Sequence, residues 1–179
     1  MSDQPVSRGS SSVVPKNKLF LLFRIGDERY ALEAVQIAEV LPRLPLKAIA
    51  QAPRWVAGVL AHRGDMIPVI DLAALAFGQT AKSRTSTRLV LVHYQVDAEQ
   101  PKRLLGLIIE QATDMLRCAP DEFKDYGLDS PDASYLGPVR EDASGLVQWI
   151  RVQDLLSDQV RELLYPAQPS ELEFIEETP

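Results

Sequence analysis

The 179-residue sequence has the composition of an ordinary globular protein, with 46% hydrophobic and 25% charged residues. A net charge of −6 leaves no concentrated positive surface, which argues against a nucleic-acid partner. Thirteen prolines and nine glycines lie between short apolar runs and favour many short strands and turns, so the expected fold class is mainly β.

The sequence shows no sign of a membrane span or a secretory signal. No apolar run approaches the roughly 18 residues of a membrane span, and residues 1–18 lack the apolar stretch of a signal peptide. The one cysteine, Cys118, cannot form an internal disulfide. We expect a cytoplasmic protein in which Cys118 is a small buried residue, with redox sensing as the alternative.

The first predicted element is a β-hairpin that follows a tail. Residues 1–17 contain too few apolar side chains to offset the entropy of ordering them, so a disordered tail is expected there. The apolar run 19–25, a turn at 26–28 and the run 29–32 then predict two antiparallel strands.

A helical turn at 34–37 and a short strand at 37–41 come next. The strand pattern predicts Ile37, Glu39 and Leu41 on one side and Ala38 and Val40 on the other. Two prolines, at positions 42 and 45, end this strand.

The central stretch, residues 53–78, predicts a second hairpin that continues into a helix. Strands at 58–61 and 66–70 flank a turn at 63–65. Asp71 is placed to cap a short helix at 72–77 by accepting its first backbone N–H groups. Gly78 suits the left-handed residue that closes the helix.

The second half of the chain repeats this order of elements. Strands are predicted at 88–96, 104–109, 135–139 and 146–150, and the segment 110–116 takes the place that 33–41 holds in the first half. A helix is expected from Asp154 to about Leu164, with apolar residues on one face at positions 155, 156, 160, 163 and 164.

This repetition predicts an internal duplication. Aligning Asp71 with Asp154 and Gly64 with Gly145 gives similar offsets along the chain. Two roughly five-stranded barrels are the natural packing, because closure removes exposed strand edges. The expected boundary between them lies near residues 79–87, within a domain at 18–166, and residues 167–179 form an acidic flexible tail.

No arrangement of residues in the sequence indicates catalysis. A nucleophile with a base, a cofactor loop and metal ligands at workable spacing are all missing. His62 and His93 are too far apart along the chain to suggest a zinc site, and His93 is expected to face outward from a strand. Glu110 and Asp114 would share a solvated helical face. The serines at 10–12 have no partner group, so no catalytic residue, cofactor or metal is expected.

The motifs of the chain resemble those of the CheW family of chemosensory coupling proteins. They are Gly26-Asp-Glu-Arg-Tyr-Ala-Leu32, Val35 to Val40, Ala52-Pro53 to Gly58-Val59, Arg63-Gly64 with Ile67-Pro-Val-Ile-Asp71-Leu72, Gly106 to Glu110, Tyr135-Leu136-Gly137, and Gln153-Asp-Leu-Leu156. The resemblance covers about residues 18–165. It implies two SH3-like five-stranded barrels around a shared core, together with short helices and no catalysis.

The resemblance also implies a function and a location. It implies a scaffold that joins the cytoplasmic helical hairpin of a methyl-accepting receptor to the regulatory domain of a CheA-type histidine kinase. Such a protein is cytoplasmic and is recruited to membrane-bound receptor arrays. The output of the pathway stays open between motility, surface attachment and second-messenger synthesis.

Partner-binding residues follow from the resemblance, position by position. Receptor contacts in the groove between the barrels would use Ile37, Val40 and Gly58, with simple core packing as the alternative for Ile37 and Val40. The arginine before the turn glycine, Gly64, corresponds to Arg63, and similar proteins pair it with the glutamate that corresponds to Glu39. Members usually have Asn-Leu-Arg-Gly here, whereas this chain has Ala61-His62-Arg63-Gly64. That departure bears on partner identity more than on fold.

Two other functions compete with the adaptor. The first is a small-ligand or metal sensor that uses the groove between the barrels, with His62 as a titrating group. The second is a generic SH3-like peptide binder, for which only Trp55 and Tyr30 are well placed.

Overall fold

The computed structural model describes residues 16–127 and 130–167. Within these ranges the chain is mainly β-structure with a few short helices, which confirms the predicted class. Apart from residues 16, 17 and 167, the two predicted tails lie outside the described residues, as do the serines at 10–12. No helix in the described ranges is long and apolar enough to span a bilayer.

The strands are β1 (Lys18–Ile25), β2 (Glu28–Glu33), β3 (Ile37–Pro42), β4 (Val56–His62), β5 (Asp65–Asp71), β6 (Arg88–Tyr94), β7 (Arg103–Cys118), β8 (Leu136–Asp142) and β9 (Gly145–Ile150). The helices are α1 (Leu72–Phe77) and α2 (Asp158–Leu164), with 3-10 turns at Ala34–Gln36, Pro120–Glu122, Pro131–Ala133 and Val152–Asp154.

The first hairpin and the strand after it confirm the sequence pattern. β1 and β2 pair antiparallel, with Phe23 opposite Tyr30. In β3 the exposed and half-buried positions alternate as predicted, with Ile37, Glu39 and Leu41 on the half-buried side. A 3-10 turn occupies the predicted helical turn before β3.

The second hairpin and its helix also form as the sequence predicts. β4 and β5 pair antiparallel around the turn at 63–64. Asp71 caps α1 by accepting a hydrogen bond from Ala74 N at 3.1 Å, and Gly78 has a left-handed φ of 71°. The same buried carboxylate accepts a second bond from Ala81 N at 2.9 Å. Asp71 therefore fixes both α1 and the connector to β6.

The strands form two groups that share β7. The first strand group consists of β1, β2, β8, β9 and the C-terminal part of β7, which pairs with β1. The second strand group consists of β3, β4, β5, β6 and the N-terminal part of β7, which pairs with β5 and β6. Both groups have the same order, a hairpin joined by a parallel pair to two antiparallel pairs.

This order shows that the repetition in the sequence corresponds to a repeated topology, but the predicted spatial boundary near 79–87 is wrong. β1 and β2 from the first half pair with β7 and β9 from the second half. β3 pairs with β6, and β5 pairs with β7. Strands from the first half of the sequence therefore form backbone hydrogen bonds with strands from the second half in both groups.

β7 differs from the predicted strand, turn and strand. It runs without interruption from Arg103 to Cys118, although Gln111 has a positive φ of 46° near the point where its partners change. The predicted helical face of Glu110 and Asp114 is therefore wrong. The Glu110 carboxylate is buried and accepts bonds from the backbone N–H groups of Gly26, at 3.3 Å, and Lys82.

The C-terminal helix begins later than predicted. Val152–Asp154 form a 3-10 turn, and α2 starts only at Asp158, after Ser157. The Ser157 hydroxyl accepts a hydrogen bond from Val160 N at 3.3 Å and caps this later start. Leu155 and Leu156 are buried outside the helix, so the predicted five-residue helical face does not form.

The main hydrophobic core draws residues from both strand groups and from both helices. It includes Phe23 of β1, Val69 of β5, Leu107 of β7 and Leu164 of α2. A smaller core lies within the first strand group and contains Phe20, Ala31, Cys118, Phe123 and Val147. The main core therefore joins the two strand groups, and a single domain over residues 18–166 stays a prediction.

Candidate functional site

Three polar side chains meet where β3 approaches the turn between β4 and β5. Arg63 donates from an Nη atom to Glu39 Oε1 at 3.2 Å. His62 Nε2 lies 3.0 Å from the other carboxylate oxygen, Oε2. The structure therefore brings together the predicted pair of Arg63 and Glu39 and adds His62. We call these three residues the Glu39 cluster.

The backbone of the hairpin positions the Glu39 cluster. Arg63 and Gly64 both have positive φ values, 50° and 84°. Two successive positive φ angles are typical of the type I′ turn, whose twist matches that of the flanking strands. The turn places Arg63 directly after β4, and β3 presents Glu39 on its half-buried side.

The members of the Glu39 cluster differ in their contact with solvent. The Arg63 side chain is 75% exposed, whereas those of Glu39 and His62 are 29% and 18% exposed. Because both Glu39 oxygens already have partners, the carboxylate is held in place. Arg63 uses one nitrogen on Glu39 and keeps donors available to a partner. The cluster can therefore bind the carboxylate or carbonyl groups of another protein.

The other predicted contact residues are arranged differently. Ile37 is half-buried and packs against the main core, whereas Val40 is on the opposite side of β3 and is 48% exposed. The two residues therefore cannot present one continuous apolar surface. For Ile37 the alternative of core packing describes its surroundings, while Val40 is available at the surface.

Gly58 is buried beneath the loop before β4. Val59 N donates to Lys47 O at 2.8 Å, which holds the Lys47 backbone against this strand. A Cβ at Gly58 would collide with that carbonyl oxygen and would lie 3.2 Å from Leu46 Cβ. Gly58 also has a φ of 146°. Its visible role is to allow this close approach, and a contact with a partner stays a prediction.

A cleft lies beside the first strand group, next to the turn that leads from β2 to β3. It has a volume of about 460 Å³ and is lined in part by Glu33, Gln36, Trp149 and Gln153. None of the six residues predicted to bind partners lines this cleft. The predicted contact surface and this cleft are thus separate places on the molecule.

The residues named for the competing functions are mostly occupied in packing. Tyr30 is buried and stacks on Phe23 with 5.7 Å between ring centroids, and its burial raises the pKa of its hydroxyl to about 12. Trp55 is half-buried against the main core. His93, predicted to face outward, is half-buried in β6. The pair of aromatic side chains that a peptide-binding groove would need is therefore not exposed.

Cys118 and the possible metal ligands are the remaining residues for which the sequence made predictions. Cys118 is buried as expected, and burial raises the pKa of its thiol. Among residues 16–127 and 130–167, no three His, Cys, Asp or Glu side chains gather in a way that would hold a metal ion. His62 instead contacts Glu39.

Sequence reasoning missed two features of this region. It treated His62 only as a titrating group, although the last residue of β4, directly before Arg63, can reach the same carboxylate. It also missed Met66, whose side chain is 61% exposed directly after the turn. An apolar residue beside a turn and opposite Ala61 was the signal for this exposed position.

Comparisons with known proteins agree with this architecture. A family model described as the CheW-like domain matches residues 19–160. The chemotaxis protein CheW of Helicobacter pylori is 31% identical over 99 residues, which cover 55% of this chain and 56% of that protein. The probable chemotaxis protein CheW of Rhizobium etli is 28% identical over 96 residues, with coverage of 54% and 58%.

Two further matches extend the comparison. Protein FrzA of Myxococcus xanthus is 34% identical over 70 residues, or 39% of this chain and 44% of that protein. The chain thus spans less than two thirds of the length of these relatives. The scaffolding protein TtCheW from Thermoanaerobacter tengcongensis has the same fold, with a TM-score of 0.69 at 18% identity, covering 84% of this chain and 94% of that one. Because the family model matches from β1 into α2, the chain belongs to the CheW-like domain family.

Proposed function

We propose that this protein is a non-enzymatic chemosensory adaptor. It joins the cytoplasmic hairpin of a methyl-accepting receptor to the regulatory domain of a CheA-type histidine kinase, and it is recruited from the cytoplasm to membrane-bound receptor arrays. Membership of the CheW-like domain family supports this function, as do the relatives named chemotaxis protein CheW. The match to a scaffolding protein supports the fold on which the function depends.

The observation that carries the proposal is the Glu39 cluster. A left-handed backbone conformation is unfavourable for an arginine, yet Arg63 adopts it in the turn. Glu39 accepts a hydrogen bond from Arg63, and His62 contacts the other oxygen of the same carboxylate. A fixed charge on a rigid hairpin is suited to setting the orientation of a partner. The proposed partner-binding residues at the surface are Glu39, Arg63 and Gly64, together with Val40 on the other side of β3. Ile37 and Gly58 are proposed to support the strands that carry them.

A small surface of this kind gives only modest affinity by itself. Apolar burial contributes about 25 cal/mol per Å², and much of that is offset by the entropy lost on association. In an array, each adaptor meets several partners that are already held close together, which raises the effective concentration. We therefore propose that the adaptor works within assemblies and not as a tight binary complex.

The proposal includes the barrel architecture. Each strand group contains five strands and repeats the same pairing order, which supports two SH3-like five-stranded barrels around the main core. The short contact between Lys47 and Val59 covers part of the outer edge of β4. The bridge between Lys124 and Val139 does the same for β8. Covered edges of this kind favour closed units over open sheets.

The experiment compares two charge reversals on the same hairpin. Arg63→Glu removes the contact with Glu39, whereas Arg54→Glu makes the same change in charge at an exposed position beyond the other end of β4. The seven residues of β4 lie between the two positions, so the control charge is separated from the Glu39 cluster by about 20 Å of extended chain. Both variants are tested in a reconstitution with receptor and kinase, and circular dichroism confirms folding.

We expect Arg63→Glu to fold normally and to lose most kinase coupling, while Arg54→Glu couples like the unmodified protein. If folded Arg63→Glu coupled normally, Arg63 would be removed from the site. If the unmodified protein bound neither a receptor hairpin nor a kinase regulatory domain, the adaptor function itself would be wrong.

A further inference from the structure

A shelf with exposed cations lies beside the turn of the second hairpin. Its lining residues come from the starts of β5 and β7 and from the end of the C-terminal helix: Asp65, Met66, Ile67, Lys102, Arg103, Leu104 and Tyr165. We call this surface the Lys102 shelf. β5 and β7 are parallel neighbours, so their first residues lie at the same end of the second strand group. The recess has a volume of about 230 Å³.

The cations of the Lys102 shelf are available for a partner. Lys102 and Arg103 are exposed, and within the described ranges neither has a carboxylate oxygen within 4.0 Å. Arg63 and Arg161, by contrast, each contact a carboxylate. The one carboxylate in the lining, Asp65, leaves the shelf with a net charge of +1. An acidic segment is therefore the electrostatically matched occupant.

The floor of the shelf is rigid and partly apolar. The Arg103 guanidinium lies 5.0 Å from the centre of the Tyr165 ring. That ring stacks on Tyr94 with 5.7 Å between centroids, and its hydroxyl donates to Leu104 O at 2.8 Å. The exposed Met66 side chain adds a flexible apolar contact at the rim. The occupant should therefore carry apolar side chains among its acidic ones.

The chain itself contains such a segment close by. The last described residues, Pro166 and Ala167, line a larger cleft that shares Arg103 and Tyr165 with the shelf. The sequence continues through 171–177 as Glu-Leu-Glu-Phe-Ile-Glu-Glu, which has four carboxylates, three apolar residues and no cation. Phe174 is seven positions beyond Ala167, a length of chain that can span up to about 23–25 Å.

Charge also selects the direction in which this segment would leave the cleft. The larger cleft is also lined by three carboxylates, those of Asp97 and of Asp158 and Glu162 on α2. Arg161, which also lines this cleft, already donates to Tyr94 Oη at 3.0 Å and contacts Asp158 at 3.3 Å. A segment with four glutamates is repelled by these three carboxylates and attracted toward Lys102 and Arg103.

We propose that residues 171–177 dock on the Lys102 shelf of the same chain. Their glutamates pair with Lys102 and Arg103, and their apolar side chains cover Met66. Attachment through a short connection gives an effective concentration of about a millimolar, so weak contacts suffice.

The experiment uses the two internal methionines of the full chain. Met66 lies on the shelf, and Met115 is similarly exposed at 53% on the C-terminal part of β7, so Met115 serves as the control in the same spectrum. A nitroxide is attached to Thr178→Cys in protein with 13C-labelled methionine methyl groups. Cys118 is protected from the label because it is buried and its thiol pKa is raised.

We expect the nitroxide to cause loss of the Met66 methyl signal while the Met115 signal persists. Lys102→Glu should restore the Met66 signal, as should about 1 M salt, at which the Debye length is about 3 Å. Equal effects on Met66 and Met115, or none on either, would overturn the proposal. Loss of the Met66 signal only in molecules mixed with a separate nitroxide-labelled copy would overturn it in favour of contact between copies. No kinase or receptor is present, so the result is independent of the adaptor function.

Discussion

Replacing Arg63 by asparagine should separate the stability of the protein from its coupling. The type I′ turn requires positive φ at both central residues, and Asn-Gly is the pair that this turn favours most. Arg63 has a φ of 50°, a left-handed conformation that brings its Cβ close to the following carbonyl oxygen. Only glycine and short polar residues adopt this conformation readily. Arg63→Asn therefore improves the local conformation and removes the contact with Glu39.

The two effects can be weighed from the structure. A residue other than glycine in the left-handed region costs about 1–2 kcal/mol, and asparagine relieves part of that cost. The lost ion pair is worth about 0–1 kcal/mol, because the Arg63 side chain is 75% exposed and solvent screens the charge. Glu39 keeps its contact with His62. The two terms largely offset one another, so the expected net change in unfolding free energy is no more than about 1 kcal/mol.

Urea denaturation measures this balance, with Arg63→Ala as the matched control. Alanine also removes the ion pair but keeps the unfavourable backbone conformation, so the asparagine variant should be the more stable of the two. Kinase coupling should fall in both variants. An asparagine variant less stable than the alanine variant would refute the account of the turn. Coupling that survives in both would refute the role of the guanidinium.

Gly58→Ala should be destabilised by at least about 2 kcal/mol in urea, because its Cβ meets the Lys47 carbonyl as well as an unfavourable φ. Gly145→Ala, with a φ of 114° and open space around it, should lose clearly less, and equal losses would contradict the packing argument. At Asp142, the hydrogen bonds from the Arg29 guanidinium, at 2.8 and 3.0 Å, hold the pKa of the carboxyl below its ordinary value. The stabilisation is therefore present above the ordinary pKa of about 3.9 and is lost as pH falls through the lowered one. Asp142→Asn should be less stable at pH 7, with the difference shrinking in acid, and a difference independent of pH would contradict this account.

Local chemistry determined many of the elements in advance. Apolar alternation gave the faces of β3, and the sequence from Arg63 to Gly78 specified a turn, a strand, an Asp cap and a glycine stop. These features depend on residues within a few positions of one another, so the sequence pattern contains the necessary information. The start of α2 was misjudged because two capping candidates, Asp154 and Ser157, compete for nearby positions, and only packing of Leu155 and Leu156 favours the later one.

The sequence by itself determined the β class, the repeated order of strands and turns, and the residues that resemble the CheW family. Only the tertiary structure decided which repeats share strands and that β7 continues through Glu110. The contact between His62 and the Glu39 carboxylate was also visible only in the structure. The reason is that backbone pairing and side-chain contacts between distant segments depend on which hydrogen-bonding edges and apolar faces meet in space, and neighbouring residues in the sequence do not encode that choice.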